Sequence, residues 1–80
     1  MSDTKKRWTL IAASMLEGKT IQAVRYLTDV EMSDLGWYKN PIVIFFTDDT
    51  YIFPSMDDEG NDGGALFTSN EDNPIIPVIS

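Results

Sequence analysis

Eighty residues make a single domain, and a chain this short buries only roughly 60–65% of its unfolded surface, which leaves little core for a deep reaction chamber. There is no Cys and no His, so disulfides, thiolate metal sites and the commonest general base and metal ligand are all excluded. The formal net charge of −7 is unevenly spread: Lys39 is the last cation, and residues 40–80 carry Asp48, Asp49, Asp57, Asp58, Glu59, Asp62, Glu71 and Asp72. Such a surface repels phosphate backbones, so nucleic acid is not an expected ligand, whereas a basic partner is attracted.

A hydrophobic content of 42%, with Trp 2, Tyr 3 and Phe 4, suits a folded globule rather than a disordered tail. No apolar run approaches the ~20 residues that span a membrane. The apolar stretch over residues 8–16 is too short and too interrupted for a secretory signal. A soluble, cytoplasmic protein is the expectation.

In chain order, residues 1–7 are polar and read as loose. Trp8, Ile11, Ala12 and Met15 then recur at the spacing of an amphipathic helix, and Gly18 lies where a left-handed residue would end it. Lys5, Lys6 and Arg7 oppose a helix dipole if the helix starts before them, so Asp3, Thr4 and Thr9 all compete as its cap. Residues 20–27 (T-I-Q-A-V-R-Y-L) read as a strand, and Ala23-Val24 breaks the alternation in the manner of a bulge. Thr28 and Glu31 have capping-box spacing and open a short helix over 30–35, stopped by Gly36. On the strand, Arg25 is expected to pair with a nearby acid.

Residues 42–47 are apolar on both parities and read as a strand covered on both faces. Asp48-Asp49 marks a tight turn into a return strand over 50–53. A two-residue loop would set Phe46 opposite Tyr51 and Ile44 opposite Phe53, one aromatic layer on one face. Val43, Phe45 and Ile52 would form the other face, with the Trp8–Met15 helix as its cover. Pro54 ends the return strand. Residues 55–64 are an acidic, glycine-rich loop, residues 65–68 a short strand, residues 69–73 another acidic turn, and residues 75–79 a last strand that Pro77 confines to an edge or a bulge. The expected class is α+β: four to five antiparallel strands in a small SH3-like barrel or strongly curved sheet, with an N-terminal helix and one short inserted helix.

The segments G-K-T-I-Q-A-V-R-Y-L-T-D-V-E-M-S-D-L-G-W (18–37) and Y-I-F-P-S-M-D-D-E-G-N-D-G-G-A-L-F (51–67) resemble a family of small bacterial and phage proteins. That family shares G-K-x-I, T-x-x-E-x-x-x-x-G-W and P-S-x-D-x-E-G-N-x-x-G-x-L-F. The resemblance covers most of residues 16–67 and implies a small β-barrel-like domain with no assigned activity; residues 1–15 fall outside it. A weaker likeness is to the SH3-like subunit that helps a photosynthetic NAD(P)H dehydrogenase complex dock ferredoxin, which implies an interaction module.

Catalysis is not expected. Ser55 has no His to activate it, and Lys19 or Lys39 would have to be desolvated to serve instead. Adjacent acids on exposed turns (Asp48/Asp49, Asp57/Glu59) stay ionised rather than facing each other across a sugar cleft. An EF-hand counted from Asp57 needs Gly at 62 and Glu at 68, where the chain has Asp62 and Thr68, so no metal ligand set and no cofactor is assigned. A loop whose Asp and Asn side chains bond its own N–H groups is the simpler reading.

The expected work is contact with an unidentified protein partner, with Trp37, Tyr38 and the loop residues Ser55, Asp57, Asp58, Glu59, Asn61 and Asp62 as the surface. Trp37 is equally readable as a plug at one end of the barrel. An acidic half that imitates nucleic acid and occupies a DNA-binding protein, and a weakly cation-binding loop, are the alternatives. A homodimer through the N-terminal helix is compatible with each.

Overall fold

The computed structural model describes residues 3–79. The elements are α1 (Asp3–Leu16), β1 (Ile21–Tyr26), α2 (Asp29–Asp34), β2 (Ile42–Phe46), β3 (Tyr51–Ile52), β4 (Leu66–Phe67) and β5 (Ile75–Ile76). They form two small antiparallel sheets, β1-β2-β3 and β4-β5, so the class is α+β with an N-terminal and a short second helix.

Local signals set the ends of the helices. Gly18 and Gly36 both take φ of 75°, the left-handed conformation that closes a helix without a Cβ clash. At the start of α2, Thr28 Oγ1 accepts from the Glu31 N–H while the Glu31 carboxylate accepts from the Thr28 N–H, so the capping box is complete. Arg25 donates to both oxygens of Glu31 and lies over the Phe45 ring, which ties α2 to the sheet. Residues 3–7, read from sequence as loose, are helical instead: α1 starts before its cations, with Asp3 in the first turn offsetting part of their conflict with the dipole.

The β1–β2 ladder runs from Ile21↔Phe46 to Tyr26↔Ile42, with a register irregularity between Ile21 and Ala23, one residue earlier than the bulge expected. The β2–β3 turn departs from the two-residue loop. Phe46 N–H donates to Thr50 O, so Thr47, Asp48 and Asp49 form a three-residue loop, and Asp49 takes φ of 71°. The extra residue moves the return strand by one: Phe45 pairs with Tyr51 and Ile44 with Ile52. A one-residue slip reverses every side chain. Tyr51 and Phe53 therefore join Val43 and Phe45 on one face, while Ile52 joins Ile44 and Phe46 on the other.

The main core cluster lies on the first of these faces, while Ile42 and Phe46 are buried on the second. Leu27, Trp37 and Val43 are buried together, with Met32, Phe45 and Phe53 packed against them. Trp37 meets Phe53 edge-on at 5.6 Å between ring centres. Thus α2 and the chain after it cover this face, not α1 as the sequence suggested. Over the opposite face lies the C-terminal ribbon. Leu66 shares a gap of about 160 Å³ with Ile44, Ile52, Phe53 and Pro54, and the Tyr26 hydroxyl donates to Pro77 O. Asn40 and Ile79 exchange both backbone hydrogen bonds, so the chain beyond Pro77 is tied to the segment before β2.

No residue of α1 is buried. Trp8, Leu10, Met15 and Leu16 are all exposed, and α1 reaches the sheet where Met15 and Leu16 share a gap with Phe46, Tyr51 and Ile52. No described helix is long and apolar enough to cross a membrane.

Candidate functional site

The acidic loop over 54–64 is a closed structure built by its own side chains. Its ends meet: Gly64 N–H donates to Pro54 O, Met56 N–H to Asp62 O, and Ser55 bridges Gly63. Asp57 Oδ1 accepts from the N–H groups of Glu59 and Asn61, and Asp57 Oδ2 accepts from the Asn61 amide at 2.7 Å. The Asn61 amide first, then these backbone donors, hold the Asp57 carboxyl below its ordinary range. Gly60 takes φ of 70° at the bend.

Asp62 binds the loop to the rest of the molecule. Its Oδ1 accepts from the N–H groups of Tyr38, Lys39 and Gly63 at 3.1, 3.0 and 2.8 Å. Burial raises this carboxyl, but the three N–H donors outweigh it and leave it lowered. Trp37 Nε1 donates to Gly60 O at 2.6 Å, so the loop also closes over the indole. The approach is tight: a Cβ on Gly63 would lie 2.7 Å from Lys39 O, and one on Gly64 2.7 Å from Ser55 O.

These contacts sort the sequence-selected residues. Trp37 is 6% exposed and belongs to the core, so it presents no binding surface. Tyr38, next in the chain, is 82% exposed. Ser55, Asp57, Asn61 and Asp62 brace the loop, with Ser55 Oγ donating to Asp62 O. Asp58 and Glu59 are exposed on its outside. Among the described residues, no three acidic side chains converge as a metal would require.

Beside this loop is an open cleft of about 360 Å³, lined by Lys39, Ser55, Met56, Asp62, Gly63, Gly64, Ala65 and Phe67. Met56 and Phe67 are 62% and 76% exposed at its margin. Neither was singled out from sequence. Met56 sits in a polar loop and Phe67 in a strand too short for its alternation to show which way it points. Asn40 was also passed over, although it is buried and its amide donates to Leu27 O and Asp29 Oδ1.

Comparison with known protein families, with curated proteins and with solved structures returns no match to this chain.

Proposed function

We propose that this protein is a non-enzymatic interaction module that receives a basic, partly apolar segment of another protein in the cleft beside the acidic loop. As part of the same proposal we assign the three-stranded sheet, with a two-stranded ribbon across one face, to the SH3-like small barrels. One observation carries the reading: Met56, on a loop that is braced at Asp57, Asp62 and Trp37, and Phe67, on β4 beside it, are both held out in water at the margin of one cleft. Large apolar side chains on a preorganised frame lose little conformational entropy when a partner covers them. The partner's charge follows from complementarity. Asp62 and Lys39 are the one acid and the one cation in the lining, and Asp57, Asp58 and Glu59 follow the lining residue Met56 in the chain, so the surroundings of the cleft are net acidic.

Selection of a random peptide library on the full-length protein tests this. Peptides that mix Lys or Arg with aliphatic or aromatic residues should be enriched. Their affinity should fall at least about tenfold in Phe67→Ala, and fall again as salt is raised. Selection that enriches no such sequence overturns the proposal. So does binding that depends on salt but survives both Phe67→Ala and Met56→Ala; that pattern fits an acidic imitation of nucleic acid instead.

A further inference from the structure

The molecule has an amphipathic helix that touches its own sheet at its C-terminal end and buries no residue there, and a separate groove that fits a helix. The groove runs between α2 and the β2–β3 hairpin, holds about 330 Å³ and is lined by Leu27, Glu31, Asp34, Leu35, Val43, Phe45, Tyr51 and Phe53. Its floor is aromatic and aliphatic, its rim on the α2 side carries Asp34 beside a Glu31 that already pairs with Arg25, and Leu35 and Tyr51 remain 48% and 57% exposed. On the helix, Trp8 and Met15 lie on the stripe that also contains Ile11, and they are 59% and 56% exposed. Lys6 and Arg7 are exposed in the N-terminal half of α1, where cations weaken a helix unless an outside acid offsets them.

The surface area is consistent with a missing cover. The chain exposes 6254 Å². A compact monomer of 9.0 kDa exposes about 4,850 Å², so the excess is roughly 1,400 Å², more than the ~800 Å² each partner contributes to a stable interface. The radius of gyration of 14.0 Å likewise exceeds the ~11.6 Å of a compact 80-residue domain.

We propose that α1 of one copy lies in the α2/β2–β3 groove of a second copy, and the second copy's α1 in the first, as a two-fold homodimer. Trp8 and Ile11 enter the aromatic floor, and Lys6 and Arg7 face the rim that carries Asp34. Both halves of the contact exist in every chain, so a two-fold axis satisfies both at once. The helix does from a neighbour what the sequence pattern assigned to it within one chain: it covers the face bearing Val43 and Phe45.

Sedimentation of the full-length protein near 100 µM is the test, with Trp8→Glu to spoil the helix and Leu35→Glu to spoil the groove. Both residues are exposed within one chain, so circular dichroism should show each variant folded. Twice the 9.0 kDa mass is expected for the wild type and the single mass for each variant alone. An equimolar mixture of the two variants should regain a dimer, because the intact helix of one meets the intact groove of the other. A monomeric wild type overturns the proposal, including one compacted by its own helix. So does a dimer that Leu35→Glu leaves unchanged, which means helix-to-helix pairing, or a mixture that stays monomeric.

Discussion

Trp37 and Tyr38 are neighbours in the chain, yet one is 6% exposed and the other 82%. Removing the indole empties the centre of the core and orphans the Gly60 carbonyl. A Trp→Ala cavity costs about 3–5 kcal/mol, against a total of about 4–12 for a domain of this size. Trp37→Ala should therefore be largely unfolded at room temperature by urea titration, while Tyr38→Ala should stay within ~0.5 kcal/mol of the parent. Gly63→Ala should cost roughly 1–3 kcal/mol in the same titration, because its Cβ would press on backbone at Lys39 and on the Pro41 ring. Asp57 and Asp62 already accept hydrogen bonds from the protein, so millimolar Ca²⁺ should leave the melting temperature unchanged; a rise would show a cation site after all. At this scale the sequence was legible where cause and effect lie within four residues, as at Thr28–Glu31, Gly18 and Gly36. It was not legible where the partner is distant, since the Trp37 indole is fixed by Gly60, and the burial of Asn40 depends on Leu27 and Ile79.

Among the elements, the β2–β3 hairpin was the one whose existence could be read but whose register could not. Asp48-Asp49 marks the turn in either register, and the choice rests on the left-handed φ of Asp49 and the bonds around Asp48. Asp48 accepts from the Thr50 N–H and hydroxyl and pairs with Lys19 at 2.8 Å, which holds the loop to the end of the chain leading into β1. Asp49→Val should destabilise by roughly 1–2 kcal/mol, because a β-branched side chain is poorly tolerated at that φ. The two anchoring carboxylates set an acid limit. The Lys19 and Thr50 donors lower Asp48 from 3.8 to about 2, and the Arg25 and Thr28 donors lower Glu31 from 4.5 to about 2. A lowered folded-state value means stability that is present above pH 4.5 and lost as pH falls toward 2. Melting temperature should decline across that window, and in Asp48→Asn the decline should be shallower from a lower starting point.

The whole molecule divides into a braced part and an unbraced part, and the division should be visible in hydrogen exchange. Val43 is 1% exposed, and the amides of β2 are shared between β1 on one side and β3 on the other. They should open only when the molecule unfolds globally. In contrast, α1 has fourteen residues and none is buried. A helix of that length supported only at its C-terminal end is marginal in water, since few propagation steps follow an unfavourable nucleation. Exchange read by mass spectrometry at low micromolar concentration should therefore exhaust the α1 amides orders of magnitude sooner than those of β2. Equal protection in both, at a concentration where only single chains are present, would mean that α1 docks within its own chain, and the apolar stripe of Trp8, Ile11 and Met15 would then need no outside cover. Rapid loss in α1 at low concentration that slows as concentration rises would tie the helix's own stability to the surface it meets.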